Sequence, residues 1–333
     1  MERLIISNPE QTGKLEPEIL YRKKVKGREM DIKRRAKAGV PYTEADVKKV
    51  MTHEKKVFEW NKEDLKRAEK LNKDVAILVP AHASTRVWLK ACLEACKKTG
   101  YFIVLAYDNP FHKVKENARA FPVPSTMALA DSVIIKHKTF LHSVGVCHFW
   151  NMIYGLSIIK SLGFKYTYAL NGDCVMETPE NFPQIIEMLG DGDIFPNHYE
   201  ESRRYAGTMG WIGKTDLMLD FFQQYRKELH MYSRTTEGRL WFYIKDNNLK
   251  VIKPENPPEY YRVVSPGTWY NILGFRHIHA EHKVHRQRKL PPPDKKFYDL
   301  NPPEYHRGGE WAMLQKYWET KDEGFLKQWW GVN

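Results

Sequence analysis

Strands and helices alternating from Asp74 onward predict an α/β protein with a doubly wound, mostly parallel sheet carrying helices on both faces. Three observations carry this expectation. The runs DVAILVPAH, YFIVLAYDN and SVIIKHK are largely apolar rather than alternating, as strands buried on both faces require. Apolar residues with helical spacing recur between such runs, at 84–98, 148–162 and 181–189. The strand-like runs also stop on polar or small residues, which places chemistry at one edge of the sheet.

Ahead of the sheet lies a basic extension, residues 1–73, expected to be largely helical. From Thr43 to Leu71, Val47, Val50, Met51, Val57, Phe58, Leu65 and Ala68 recur at helical steps among charges, with Thr43 as N-cap and Asp46 three residues on. Residues 1–40 are weakly periodic and read as an arm or short helices. The sheet opens with residues 74–82. A helix over 84–98 follows, with Val87, Leu89, Cys92, Leu93 and Cys96 inward and Gly100 at its end. The second strand is YFIVLAYDN, the third lies at 132–138, and an apolar helix runs from His148 to Leu162. KYTYALNGD, ending at Asp173, is the fourth strand, Asn181–Leu189 a helix, and DIFPNHY a fifth candidate. These elements belong to a domain at 74–255. The remainder, 256–333, is punctuated by KPENPPEYY, LPPPDKK and NPPEY and is rich in histidine, arginine and aromatic residues. Its Trp-rich tail from Glu310 is expected to pack back on the body, since exposed tryptophan clusters are costly.

Composition excludes several classes. At 42% hydrophobic and 13% aromatic over 333 residues, there is ample material for a core. No run of about 18 apolar residues exists, so no membrane span is expected. The N-terminal residues are too charged for a secretory signal. Four cysteines at no zinc-type spacing suit a reduced, cytoplasmic protein. The net charge is +12, and residues 1–73 hold 20 Lys+Arg against 13 Asp+Glu, a surplus of 7. A second basic stretch, Arg276–Arg307, holds 8 Lys+Arg, 4 Asp+Glu and five histidines. Such patches favour polyanions, nucleic acid among them, although a Lys/Glu-mixed helix such as 43–73 also reads as a solvated face. Neither GxGxxG nor GxxxxGK[ST] occurs, which argues against dinucleotide and P-loop enzymes.

Three strand ends remain: Pro80-Ala81-His82-Ala83, Tyr107-Asp108-Asn109 and Asn171-Gly172-Asp173-Cys174. An acid closing the second strand can accept hydrogen bonds from a base or ribose. An acid closing a later strand can hold a divalent cation that bridges a diphosphate. This arrangement resembles the nucleotide-sugar-binding domain of GT-A glycosyltransferases, a Rossmann-like fold, and within them the inverting family 2. The resemblance covers roughly residues 74–250. It rests on VAILVPAHAS as the opening strand and turn, Asp108 as the base-contacting acid, Gly145-x5-Asn151-x3-Gly155 on a helix, and Asn171-Gly172-Asp173 in place of the Asp-x-Asp metal motif. Here Asn171 replaces the first acid, so Asp173 alone brings negative charge; read in isolation, the triplet is also simply a turn.

The resemblance implies a metal-dependent transfer from a nucleotide-diphosphate sugar, UDP-sugar foremost, with Mn²⁺ or Mg²⁺ as cofactor. Pro80, His82, Asp108, Asn151, Asn171 and Asp173 would line the donor, and Asp173 would carry the metal and diphosphate. Glu237, in TTEGRLW, would be the general base that makes the transfer inverting, with Asp216 as its rival and a helix-capping role as the alternative. Gly207–Gly213 resembles the acceptor-side segment, and the resemblance implies a helix starting near Gly238 and a short strand at 248–252. For His277, His279, His282 and His285 three readings compete: His277 or His279 completes the metal site with Asp173, the cluster forms its own zinc site, or with Arg276, Arg286 and Arg288 it is a phosphate-binding strip.

The charge leans toward double-stranded DNA as acceptor. A basic transferase without a membrane span resembles the enzymes with which some bacterial viruses (bacteriophages) glycosylate hydroxymethylated pyrimidines in their own DNA. The alternatives are a saccharide acceptor, a non-catalytic DNA-binding protein on a degenerate transferase fold, and a nucleotidyltransferase. Sequence leaves the oligomeric state open.

Overall fold

The computed structural model describes residues 4–7, 74–82, 85–108, 124–136, 144–227, 236–253, 275–300 and 309–332. The helix expected at 43–71 and the remainder of the basic extension lie outside them. In chain order the elements are β1 (Leu4–Ser7), β2 (Val75–His82), α1 (Arg86–Lys98), β3 (Phe102–Asp108), the single turn α2 (Pro124–Met127), β4 (Ser132–Lys136), α3 (Val144–Ser161), β5 (Tyr166–Ala169), β6 (Cys174–Met176), α4 (Phe182–Leu189), β7 (Ile194–Phe195), β8 (Tyr199–Glu200), β9 (Tyr205–Ala206), β10 (Trp211–Lys214), α5 (Thr215–Lys227), α6 (Thr236–Asp246), β11 (Phe275–His277), α7 (Ile278–Gln287), α8 (Gly309–Thr320) and α9 (Glu323–Trp330).

Seven strands form one sheet in the order β1-β4-β3-β2-β5-β10-β7. All neighbours from β1 to β5 run parallel, and β10 runs antiparallel to both β5 and β7. The fold is therefore α/β with a mainly parallel sheet. Three differences from the sequence expectation stand out. Residues 4–7 are a strand at the sheet edge, beside β4, within a segment read as an arm or short helices. The Trp211–Lys214 part of the glycine-punctuated segment is a strand inside the sheet. At 248–252 the backbone makes an isolated bridge, Val251 to Ile194, rather than a strand.

The alternating faces of β2 divide the core in two, as a strand buried on both sides must. Ile77 and Val79 face a cluster with Leu89 and Leu93 of α1, Phe182 of α4, Leu314 of α8, and Leu326 and Trp329 of α9. Ala76 and Leu78 face Phe149, Met152 and Leu156 of α3, Phe222 of α5 and Leu240 of α6. The Trp-rich tail thus packs back on the α1 side, and Trp329 is fully buried there. On the other side, α3 lies close on the sheet because it carries Gly155 opposite Leu78. A Cβ at that position would come 2.2 Å from Leu78 Cδ1, a clash in a core too dense to give way.

Beyond the sheet, β11 pairs antiparallel with β6, placing Phe275, Arg276 and His277 opposite Met176, Val175 and Cys174. This ribbon brings the histidine-rich segment from 100 residues downstream to the end of β5. No described helix is long and apolar enough to cross a membrane.

Candidate functional site

The carboxyl edge of the sheet is built by the ends of β2, β3, β5 and β7 and by the approach to β10. Pro80 fits inside central strand β2 for a local reason. The β2–β5 ladder ends at Leu78 and Ala169, and beyond it the Pro80 carbonyl accepts from Gly172 N at 3.0 Å. In a parallel strand a residue's N–H and C=O point to the same side, so the missing N–H of Pro80 breaks no ladder bond. The Asn171-Gly172-Asp173 turn presses on the same strand end: a Cβ on Gly172 would lie 2.7 Å from Ala81 Cβ. Asn151 of α3 is buried and donates from Nδ2 to Ala81 O at 2.7 Å, tying the helix to this strand end. Asn171 Oδ1 is buried with no hydrogen-bond partner among the described residues. Asp108 closes β3 directly opposite His82 in register; its side chain lies outside the described residues.

Asp173 is the centre of this edge. It is buried, 7% exposed. His277 Nε2 and His279 Nδ1 lie 3.2 and 3.4 Å from its Oδ2. Burial pushes the Asp173 carboxyl up, but hydrogen bonds and charge from His277 and His279 outweigh it and hold the group well below the usual carboxylate range. The ribbon explains the meeting: His277 ends β11, and Ile278 N donates to Asp173 O at 3.0 Å, so α7 starts against the turn. His279 stacks on Trp88 of α1, ring centroids 4.7 Å apart, which fixes its plane. Two more histidines feel the same carboxylate. Desolvation lowers the His82 pKa, with Asp173 opposing and His279 reinforcing. Desolvation, then the charge of His82, pushes His148 down to about 4, with Asp173 opposing.

The His148 shift fixes a pH dependence. An unfolded chain binds a proton at His148 below pH about 6.5, which the folded protein refuses until about 4. Stability is therefore complete above 6.5 and falls as pH drops through that window, by about 3 kcal/mol for a shift of this size. His82, also lowered, adds to the same direction; Asp173, lowered, loses its contribution only below the usual carboxylate range. Urea unfolding between pH 7 and 4 is expected to show this decline, and His148→Gln is expected to flatten it. An unchanged slope in that variant would rule out His148 as its source.

The other histidines of the segment do not converge on Asp173. His282 is buried, with Nδ1 3.0 Å from Tyr298 Oη and Nε2 on Glu310 of α8. His285 Nδ1 faces Pro291 O. Arg276 is bound by Glu281, and Arg286 Nη1 lies 3.1 Å from a Glu310 oxygen. The segment therefore does not gather into a zinc site of its own. The phosphate-strip reading is also weakened, because carboxylates already occupy Arg276 and Arg286.

Glu237 lies in the first turn of α6 and accepts a hydrogen bond from Thr208 Oγ1 at 3.2 Å. Thr208 is buried just ahead of β10. Because β10 runs antiparallel to β5 and Trp211 pairs with Ala169, this approach lies at the carboxyl edge of β5, the edge that carries Asp173. Asp216 is at the opposite edge, since Thr215 N donates to Lys165 O just ahead of β5. It is exposed and paired with Lys160 Nζ at 2.7 Å, so it does not share an edge with Asp173. In the sequence Thr208 falls within the acceptor-side segment Gly207–Gly213 but has no role of its own there. Sequence reasoning passed over Asn197, buried just past β7 with neither amide atom hydrogen-bonded among the described residues.

No protein-family model matches the chain. No curated protein matches it either. Solved structures do match. A structure assigned as a nucleotide-diphospho-sugar transferase from Desulfovibrio desulfuricans G20 is 10% identical over 78% of this chain and 99% of its own, with a TM-score of 0.41. The 4-diphosphocytidyl-2C-methyl-D-erythritol synthase from Anaerococcus prevotii DSM 20548 is 13% identical over 64% and 96%, with a TM-score of 0.41. Likeness at this level does not carry function, which must be argued from the side chains at the carboxyl edge.

Proposed function

We propose that this chain transfers a sugar from a nucleotide-diphosphate sugar, UDP-sugar foremost, to an acceptor hydroxyl with the help of a divalent cation. The observation that supports this most is the convergence of two imidazoles on the buried, ionised Asp173 at the carboxyl edge of a mainly parallel sheet. Ligands of open α/β sheets bind at that edge.

The donor set fits a cation. It offers one carboxylate kept ionised and imidazole nitrogens facing the same oxygen, with Asp173, Cys174 and His277 donor atoms within 4.8 Å of one another. Asp173 and His277 would hold the ion, and His279 would steady the carboxylate. When bound, the cation supplies Lewis-acid stabilisation of the leaving diphosphate. Asp108, opposite His82 at the end of β3, would contact the nucleotide. Pro80, Asn151 and Asn171 would shape the turn on which the donor rests.

Glu237 would take the proton of the acceptor hydroxyl on a carboxylate oxygen, oriented by the Thr208 hydroxyl. Attack from that side gives inversion. For the acceptor the support is charge alone. A net +12, concentrated before residue 74, favours a polyanion, and we take double-stranded DNA bearing hydroxymethylated pyrimidines as the acceptor to test first.

Release of nucleoside diphosphate from a panel of nucleotide sugars tests the reaction class, with modified DNA and oligosaccharides as rival acceptors. Cation-dependent release with one donor is expected. Turnover of nucleoside triphosphates with release of pyrophosphate would instead make the protein a nucleotidyltransferase.

A further inference from the structure

Beside Asp173 sits a donor that the proposed reaction leaves unused. Cys174 is fully buried, and its Sγ lies 3.9 Å from Asp173 Oδ1, while His277 Nε2 meets the other carboxylate oxygen, Oδ2. The backbone enforces this placement. In the β6–β11 ribbon Cys174 and His277 are directly paired, and paired residues of an antiparallel ladder project from the same face with Cβ atoms about 4.5–5.5 Å apart. The bond from Ile278 N to Asp173 O locks that register. The thiols of Cys92 and Cys96 belong to α1 instead, and Cys92 Sγ points to the Asn171 carbonyl at 3.6 Å.

We propose that the Cys174 sulfur is a ligand of the cation, so that Asp173, Cys174 and His277 form a three-protein-ligand site that takes a zinc-class ion in preference to Mg²⁺. The inference rests on Asp173 as the cation-holding carboxylate but not on sugar transfer. Thiolate and imidazole suit Zn²⁺ and Co²⁺, whereas Mg²⁺ demands oxygen ligands in an octahedron. Three protein ligands leave one position of a tetrahedron open, the pattern of zinc sites that act on a substrate rather than ones that only hold structure. Binding forms the metal–sulfur bond as the S–H bond breaks, and the thiol proton passes to solvent.

The test uses the full-length, metal-stripped protein. Titration with Co²⁺ is expected to give the visible absorption of a tetrahedral site and a near-ultraviolet thiolate-to-cobalt charge-transfer band. Zn²⁺ should displace the Co²⁺, while excess Mg²⁺ should not. Cys174→Ala should lose the charge-transfer band and bind Zn²⁺ at least about tenfold more weakly, with Cys92→Ser keeping both. X-ray absorption on the zinc-loaded wild type needs no variant. One sulfur at about 2.3 Å is expected, and a shell of nitrogen and oxygen alone would overturn the proposal, as would ready displacement of Co²⁺ by Mg²⁺. A sulfur ligand in a protein that binds no nucleotide sugar would leave this inference standing and sink the transferase reading; donor binding with a sulfur-free shell would do the reverse.

Discussion

Asp173→Asn is expected to stay folded and to lose about 10³-fold or more in the rate of nucleoside diphosphate release, a change of about 4 kcal/mol in barrier height. Asparagine keeps the shape of the buried turn but removes the charge on which His277 and His279 converge. Because Asn171 occupies the position where a second acid would stand, no neighbouring carboxylate in the turn replaces it. The rate is measured at saturating cation, with circular dichroism to establish that the variant is folded. A near-wild-type rate would remove Asp173 from the chemistry.

Glu237→Gln is the second large effect. Removing a general base costs about 10²–10⁴ in turnover, and donor binding is expected to be untouched, because Glu237 belongs to α6 and the approach to β10 rather than to the turn that holds Asp173. The variant should thus keep the donor-induced rise in melting temperature and lose transfer. If Glu237 serves only the α6 dipole, the same substitution costs about 0.3–1 kcal/mol of stability and leaves the rate intact. The two roles are separated by one pair of measurements.

The parallel part of the sheet was legible because strands buried on both faces must be apolar throughout, and β2, β3 and β4 advertise it. The Asp173 turn was legible for the same reason: β5 ends where polarity begins. Other features depend on long-range pairing that leaves no local trace. β10 is preceded by Gly207 and Gly210, contains Gly213 and reads as a flexible segment; only its pairing with β5 makes it a strand. The meeting of His277 and His279 with Asp173 was one of three open readings, because the β6–β11 register spans 100 residues. Separating His282 and His285 from the other two needed the helix α7, which turns them toward Glu310 and Pro291. Asp216 and Glu237 look alike in sequence, as acids near the start of a helix; the direction of β10 puts one at each edge of the sheet. Cys174 reads in sequence only as one of four cysteines at no zinc-type spacing, since nothing short of the ribbon shows what stands opposite it.

On this reading the edge binds a nucleotide sugar through a cation at Asp173. The most direct test is the melting temperature of the full-length protein against a panel of nucleotide sugars, with and without added divalent cation, for the wild type and Asp173→Asn. A donor at about 100 times its dissociation constant adds about 2.7 kcal/mol of stability, a shift of about 2–4 °C or more for a protein of this size. A cation-dependent rise with one donor, absent in Asp173→Asn, is the predicted result. No rise with any donor, or an equal rise in the variant, would contradict it.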